Sequence, residues 1–456
     1  MLGLKTFRGG IHPTENKHLT RNKPVENMPL PQKVIIPLLQ HTGAICEPLV
    51  KTGDIVKEYQ KIGESKAVVS SPVHASISGT VISIEPSPHP VIPTNVMSII
   101  IEKTAENTAT NQANTQKTDW KNLNPQEILN KIKEAGVVGL GGAAFPTHIK
   151  LSPPSDKKID ALILNGAECE PFLTNDHALM LEKTQEIIEG LQIILKVLGI
   201  NKAFIGIESN KKDVIKKMKD ILTLCTPSDD SESTSYADSS EYPAPCTIKV
   251  MPLKVKYPQG AEKQLIKAIL NKEVPSGKLP FDVGAIVQNV ATAYAIYEAV
   301  ALDKPLVEKI ITVSGDAIKE PKNIRVKIGT PISKIIEFCG GFKGDVAKII
   351  MGGPMMGISQ YTLDVPIIKG TSGIIALSPQ KEEVEGPCIK CGHCVDICPM
   401  GLMPNRIADY AEKDMFDECK EYGILDCMEC GACAYSCASR RPIVHLVKYV
   451  KSKLKK

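Results

Sequence analysis

The spacing of apolar residues along the chain changes from one stretch to the next. Residues 1–103 alternate short apolar segments with Gly and Pro, which is typical of short β-strands joined by turns. Residues 119–305 alternate apolar strand-like segments with stretches that have apolar residues at helical spacing, the pattern of an α/β domain. The sequence therefore predicts a multidomain α+β fold, with one helix starting at Pro125 and another running from about Leu179 to Leu198.

The N-terminal stretch has a more specific resemblance. Residues 48–65, followed by residues 73–85, resemble a biotinyl/lipoyl-like β half-barrel. A carrier domain would need a modifiable lysine at a hairpin tip, and the sequence has none there, so we expect a structural domain. Residues 7–13 carry a Gly-Gly pair between Arg8 and His12, and we interpret them as a docking arm.

Three polar stretches are predicted to lie outside the folded domains. Residues 104–118 are rich in Thr, Asn and Gln, as in a linker. Residues 227–243 are acidic and Ser-rich, which predicts a disordered surface insertion without an assigned function. Residues 448–456 form a lysine-rich tail, for which a solvated helix is favoured over a membrane anchor.

Composition narrows the class of protein. A length of 456 residues predicts three or four domains. A net charge of +4 and an aromatic content of 4% give no footprint for nucleic-acid binding. The sequence has neither a signal-peptide core nor a run of eighteen apolar residues, so a reducing cytoplasmic location is expected.

The last seventy or so residues contain two cysteine runs with the spacing C-x2-C-x2-C-x3-C. In this motif three thiolates bind one [4Fe–4S] cluster and the fourth binds the other cluster. One predicted ligand set is Cys388, Cys391, Cys394 and Cys437. The other is Cys427, Cys430, Cys433 and Cys398. A zinc site would use two separated pairs, and a disulfide framework belongs to short secreted chains, so clusters are favoured.

A glycine-rich loop follows the first predicted helix. Gly139, Gly141 and Gly142 free the backbone to face an anion, with Phe145 and Lys150 close behind. The sequence that begins at Gly139 also matches the dinucleotide-binding fingerprint G-x-G-x-x-G/A. That motif requires a preceding strand, however, and a helix precedes this loop.

Other candidate site residues stand near the ends of predicted strands or at the start of helices. Asn165, Glu168 and Glu170 follow an apolar strand, and Glu262 and Asn289 stand near the start of later helices. In α/β sheets ligands bind at the carboxyl ends of the strands. These group types would suit a flavin phosphate and a second nucleotide, although spacing alone does not show this.

Four stretches carry a resemblance to a known family: residues 139–150, 162–171, 257–263 and 288–294. In this order they resemble the flavin- and NADH-binding subunit of respiratory complex I. With the residues around Gly9 and Gly10 and the two cluster motifs, nearly all of residues 1–440 is similar to C subunits of Rnf electron-transport complexes.

The resemblance implies a division of the chain and roles for single residues. It implies an FMN- and NADH-binding domain at 119–305, a β-grasp module at 306–365 and a two-cluster, ferredoxin-like helical domain at 366–447. The residues implied to line FMN are Gly139, Gly141, Lys150, Asn165, Glu168, Tyr257 and Asn289. Those implied to face NADH are Gly142, Phe145, Glu170 and Glu262. The complex I pattern has acidic residues where this chain has Ala167 and Ala261.

The resemblance also implies an activity. Electrons would pass between NAD(H), FMN and the two clusters in a ferredoxin:NAD⁺ oxidoreductase complex, and ion transport would be left to partner subunits. The chain would then lie peripherally at the cytoplasmic face of the membrane and meet ferredoxin only through a partner. Three alternatives remain at this point: a microcompartment cobalamin reductase of the same layout, a soluble iron–sulfur electron carrier, and a zinc-binding interaction protein.

Overall fold

The computed structural model describes residues 4–104, 117–225, 246–380 and 384–454. Residues 105–116 of the predicted linker and the whole predicted insertion at 227–243 lie outside the described residues. In the described part of the chain, the strands form four sheets.

The N-terminal unit is built from short strands, as its Gly and Pro content predicts. Its strands are β1 (Val25–Asn27), β2 (Lys33–Pro37), β3 (Glu47–Pro48), β4 (Ile55–Val56), β5 (Lys61–Glu64), β6 (Val73–His74), β7 (Gly79–Ser87) and β8 (Val96–Glu102). A sheet in the order β2-β8-β7-β4 and a second in the order β3-β5-β6 enclose an apolar core that includes Val34, Ile62 and Ile99. This is a half-barrel.

The α/β unit surrounds a parallel sheet in the order β11-β10-β9-β12. Its elements are α1 (Pro125–Glu134), α2 (Thr147–Lys150), β9 (Ala161–Gly166), α3 (Asn175–Glu182), α4 (Thr184–Leu198), β10 (Lys202–Glu208), α5 (Lys212–Cys225), β11 (Thr247–Leu253), α6 (Glu262–Leu270), β12 (Ala285–Asn289) and α7 (Val290–Ala301).

Two helix boundaries in this unit follow from local chemistry. Helix α1 begins at Pro125 because Asn124 and Glu127 form a reciprocal capping box, with bonds of 3.0 and 2.7 Å. The single helix predicted from about Leu179 to Leu198 is two helices, because Lys183 has non-helical dihedral angles (φ −124°, ψ 36°).

The third unit is a sheet in the order β1-β14-β13-β17-β15-β16, with one helix packed on it. Its own elements are β13 (Glu308–Ser314), β14 (Lys322–Lys327), α8 (Ile332–Phe338), β15 (Lys348–Met351), β16 (Ile358–Ser359) and β17 (Gly373–Leu377). The sheet therefore extends past residue 365 and also takes in β1, which pairs in parallel with β14. Lys327 joins this unit to the half-barrel through a 2.6 Å ion pair with Glu58.

The C-terminal unit is helical. It contains α9 (His393–Asp396), α10 (Pro404–Ala411), α11 (Phe416–Glu421), α12 (Ala432–Tyr435) and α13 (Ile443–Leu454). Helix α13 includes the start of the lysine-rich tail, and Val447 and Val450 bury its apolar face in this unit's core. No helix in the described part of the chain has the length and apolar character needed to span a bilayer.

Candidate cofactor site

The glycine-rich loop, residues 139–145, connects α1 to α2 and is held by three other parts of the chain. The Leu140 N–H donates to Thr292 Oγ1 at 2.9 Å, and Lys309 Nζ donates to the Leu140 carbonyl at 3.3 Å. Thr42 of the half-barrel donates its hydroxyl to a carbonyl further along the loop at 2.8 Å. The shape of the loop is thus held by one group of its own unit and by groups from two other units.

The other side of the loop is open and faces the ends of β9 and β12. Gly142 has φ 123°, and a Cβ there would have no atom within 4 Å. A Cβ on Gly141 would lie 3.3 Å from Cβ of Asn289, and Asn165 Nδ2 donates to the carbonyl of Gly260 at 2.8 Å. The fold therefore brings these predicted site residues together beside an exposed loop, at the carboxyl ends of the parallel strands where ligands bind. We call this region the cleft.

Lys150 and Glu262 also lie at this cleft, where their side chains form an ion pair with each other. Lys150 Nζ lies 2.6 Å from Glu262 Oε1, and the two side chains are 30% and 39% exposed. Phe145 is half-buried, and its carbonyl accepts a hydrogen bond from the Gly139 N–H at 2.8 Å. The lysine expected to meet a phosphate is thus paired with the carboxylate expected to face a nucleotide.

The side chain of Glu168 binds protein groups. Its Oε1 accepts hydrogen bonds from the backbone N–H groups of Asp176 (2.7 Å) and His177 (3.2 Å) at the start of α3. Lys17 Nζ lies 3.7 Å from the other carboxylate oxygen and donates to the Glu168 carbonyl at 2.6 Å. Burial, together with the nearby Glu168 charge, raises the pKa of Asp176 to about 6.

Glu170 also contacts protein. Its two oxygens accept from the backbone N–H groups of Met355 (3.0 Å) and Met356 (2.9 Å), in the loop after β15. Burial raises the pKa of Glu170 to about 7, against the lowering effect of these bonds. The predicted nucleotide-facing carboxylate therefore joins the α/β unit to the third unit.

Three side chains near the cleft were not predicted. Lys17 contacts Glu168 as described, and Lys211 donates to the Ala167 carbonyl at 2.7 Å and to the Glu208 carboxylate at 3.1 Å. Gln259 is fully buried, and neither of its side-chain polar atoms has a partner among the described residues. A buried, unpartnered amide beside the cleft fits a site that receives a polar cofactor.

The first predicted cluster set comes together around one cavity. Cys388, Cys391, Cys394 and Cys437 all line it, although Cys437 comes from the second run. The empty volume is about 380 Å³, including the part that opens to solvent. Four thiols from the two runs that line one cavity match, in number and kind, the donor set of a [4Fe–4S] cluster.

The second set is grouped in the same crossed way. Burial raises the pKa of Cys433, and the charges of Cys427, Cys430 and Cys398 raise it further, so the four thiols are close neighbours. Backbone N–H groups already point at two of the sulfurs, from Leu402 to Cys398 and from Glu429 to Cys427, each at 3.4 Å. Such bonds offset the negative charge of a bound cluster.

A small apolar core joins the cleft to the second set. Ile11, Tyr257, Cys430 and Ala432 are buried in it, and Cys169 packs against them. Cys169 follows Glu168 in the loop beside the cleft, whereas Cys430 is a predicted cluster ligand. The two predicted cofactor regions are therefore connected through packed side chains.

Family models match the four units in order. The matches are an RnfC barrel sandwich hybrid domain at residues 5–106, a Nuo51 FMN-binding domain at 132–298, an SLBB domain at 310–359 and a 4Fe-4S dicluster domain at 381–438. They confirm the predicted fold class, the flavin and the two iron–sulfur clusters.

Curated relatives decide the family. The chain is 48% identical, over 98% of its length and 94% of the relative, to the C subunit of the proton-translocating ferredoxin:NAD(+) oxidoreductase complex of Clostridium ljungdahlii. This chain belongs to the family of Rnf-type C subunits. It is also 43% identical to the corresponding C subunit of the Na(+)-translocating complex of Acetobacterium woodii, over 98% of this chain and 97% of that one.

A solved structure shares the fold. The crystal structure of an NAD⁺-reducing [NiFe]-hydrogenase in the H2-reduced state has a TM-score of 0.52 and 17% sequence identity, and covers 74% of this chain and 62% of that one. This similarity concerns the fold alone.

Proposed function

We propose that this chain is the NAD(H)-interacting subunit of a ferredoxin:NAD⁺ oxidoreductase complex. It passes electrons between NAD(H), FMN and two [4Fe–4S] clusters, and partner subunits carry out the ion transport. The observation that carries this proposal is the packed connection between the open glycine-rich cleft and a crossed set of cluster cysteines. The names of the full-length relatives support it.

In this proposal the cleft residues hold the cofactor and the nucleotide. Gly139, Gly141, Lys150, Asn165 and Asn289 line FMN, and Gly142, Phe145 and Glu262 face NADH. Three other residues are proposed to support the cleft, since their side chains bind other parts of the chain. Glu168 binds the start of α3, Glu170 binds the loop after β15, and Tyr257 binds the Cys430 carbonyl.

FMN, when bound, supplies the exchange between a two-electron hydride donor and one-electron clusters. The task of the chain's own residues is placement. Phe145 offers a half-buried ring at the cleft, and the loop backbone approaches the ligand where Gly142 has no side chain. When a phosphate arrives, Lys150 must share its charge between that phosphate and Glu262. No acid or base of the protein is required.

The location follows from the proposed assembly. We propose that the chain is held peripherally at the cytoplasmic face of the membrane by its partner subunits, and that it meets ferredoxin only through one of them. Expression with and without the partners, followed by membrane fractionation, checks this. Membrane binding of the chain alone would contradict it.

An anaerobic visible spectrum of the purified chain, before and after NADH, tests the electron route. We expect about eight iron and one FMN per chain, with cluster absorbance that bleaches on adding NADH. Iron at that level without flavin or bleaching would instead indicate a soluble electron carrier.

A matched pair of variants tests the cleft. Gly142→Val places a side chain in the cleft and should abolish FMN retention and NADH bleaching while iron stays in place. Gly277→Val is the control, because Gly277 also has positive φ (67°) and open space around it but lies outside the cleft. Equal flavin content in both variants would contradict the proposed binding site.

A further inference from the structure

Tyr257 lies where the α/β unit meets the cluster-binding unit. Its side chain is 1% exposed, and its hydroxyl donates a 2.7 Å hydrogen bond to the carbonyl of Cys430, which is 173 residues away in the sequence. Cys430 belongs to the second predicted cluster set. The resemblance implies that Tyr257 lines FMN, but its hydroxyl contacts a residue of the cluster-binding unit.

The position of this tyrosine is fixed from both ends. Its backbone exchanges two hydrogen bonds of 2.8 Å with Ile11, and the same core holds Ala432 against the ring. The preceding residue in the arm, Gly10, donates its N–H to the carbonyl of Ile397 at 2.8 Å, directly before Cys398. Because backbone and hydroxyl are both held, the ring cannot turn toward the cleft without breaking this interface.

The hydrogen bond to the Cys430 carbonyl polarises the peptide group between Cys430 and Gly431. That carbonyl and the N–H of Gly431 belong to the same peptide group, and a hydrogen bond to one end of a peptide polarises the other end. The Gly431 N–H, which stands between the predicted ligands Cys430 and Cys433 in the sequence, therefore becomes a stronger donor. Hydrogen bonds around the sulfurs and burial are two of the factors that set the potential of an iron–sulfur cluster.

We propose that Tyr257 is a positioning residue for the cluster of Cys398, Cys427, Cys430 and Cys433, and that its hydroxyl raises the reduction potential of that cluster but not of the other. The hydroxyl acts through the Cys430 peptide and touches neither flavin nor substrate. The proposal deepens the proposed function, since it concerns the cluster that packs toward the cleft. The effect on the potential does not require NADH or FMN to bind.

The test uses the full chain with both clusters and compares Tyr257→Phe with the parent by potentiometric titration followed by EPR. The phenylalanine keeps the ring and removes only the hydroxyl. We expect the reduced-to-oxidised ratio of one cluster at a fixed potential to fall by up to about tenfold, which is 59 mV for a one-electron couple. Cys391→Ser, which alters the other cluster, assigns the two signals.

A second substitution should shift the reduction potential of the same cluster in the opposite direction. A fluorotyrosine at position 257 has a more acidic hydroxyl and donates more strongly, so the same cluster should become easier to reduce. This variant keeps the ring and hydroxyl of the interface and stays informative even if Tyr257→Phe binds less iron.

Tyr294→Phe is the control, because Tyr294 is half-buried and its hydroxyl donates to the carboxylate of Glu298 at 3.2 Å rather than to a cysteine. Unchanged potentials in both position-257 variants, or equal shifts of both clusters, would overturn the proposal. Loss of NADH bleaching with the single-cluster shift intact would contradict the proposed function and leave the role of Tyr257 standing.

Discussion

At the scale of single residues, the site combines groups that the sequence indicates with groups that it conceals. Asn165 is predicted because it stands at the carboxyl end of an apolar strand, where parallel sheets bind ligands, and Asn289 because it stands at the start of a helix. Lys17 is not predicted, because it lies 151 residues from Glu168 in a segment with no motif of its own. A lysine that reaches a buried carbonyl looks in sequence like any surface lysine.

Lys17 should be costly to remove. Its ammonium and the Glu168 carboxylate are 6% and 3% exposed, and losing one partner of a buried pair leaves the other charge uncompensated, at roughly 3–5 kcal/mol. We expect Lys17→Met to lower the free energy of unfolding by about that amount in urea denaturation. Lys23→Met is the control, since Lys23 makes one exposed bond to the Pro321 carbonyl. Equal losses in the two variants would contradict the buried pair.

Glu170 should make stability depend on pH. Burial raises its pKa from 4.5 to about 7, so the folded protein binds its proton more tightly than the unfolded chain does. The stabilisation from this proton is complete below pH 4.5 and is lost as pH rises through 7. In Glu170→Gln that loss should be absent, and the stability difference from the parent should change by on the order of 2 kcal/mol between about pH 5 and 8. Parallel curves from urea denaturation would refute this.

At the scale of elements, periodicity predicted helices and strands better than it predicted their partners. The strand β9 and the helix α1 follow from apolar spacing and from the capping residues around Pro125. The pairing of β1 with β14 could not be predicted, because a strand of three residues has too little pattern to select a partner 323 − 25 = 298 residues away. Strand β17 pairs with β13 and β15 and extends the third sheet beyond the predicted boundary at 365.

The arm at residues 7–13 was interpreted as a docking element, and the described structure shows its contacts within the chain itself. Phe7 and Ile11 are 7% and 6% exposed, and Lys256 donates to the Phe7 carbonyl at 2.6 Å. A pair of glycines allows the backbone to pass closely between two units, since a Cβ on Gly10 would lie 2.7 Å from the Tyr257 carbonyl. The arm is thus a tie between the α/β unit and the cluster-binding unit.

Gly10→Ala should loosen this tie. Gly10 has φ 80°, so alanine adds backbone strain of about 1–2 kcal/mol and also meets the Tyr257 carbonyl. We expect slower cluster reduction after mixing with NADH in a stopped-flow experiment, with iron and FMN content unchanged. Gly53→Ala shares the strain, with φ 91°, but has no atom within 4 Å. If both variants slow reduction equally, strain alone and not the arm is responsible.

At the scale of the whole molecule, the order of the four units was predictable and their contacts were not. The cysteine spacing predicts a crossed arrangement because, in this motif, the fourth cysteine of each run binds the cluster that the other run holds. The connection from Cys169 to Cys430 depends on side chains from all four units and has no local signature. Sequence motifs describe each site, whereas the distance between sites is a property of packing.

The crossed arrangement predicts how cysteine variants should pair. Cys437→Ser should alter the same EPR signal as Cys388→Ser, because both residues line one cavity. Cys398→Ser should instead match Cys427→Ser, since Cys398 lies with the second set. If Cys437→Ser matched Cys427→Ser, each run would hold its own cluster and the crossed assignment would be wrong.

The position of the arm in the chain also affects how the protein is made. Gly10 forms a hydrogen bond with Ile397, and β1 pairs with β14. These N-terminal residues can therefore form their contacts only after much later parts of the chain have been synthesised. Gly10 and Ile397 are separated by 397 − 10 = 387 positions, which at about 5–20 residues per second means roughly 20–80 s of synthesis. The interface around Tyr257 therefore closes only when the cluster-binding unit exists, and iron–sulfur loading and this last closure fall in the same late stage of biogenesis.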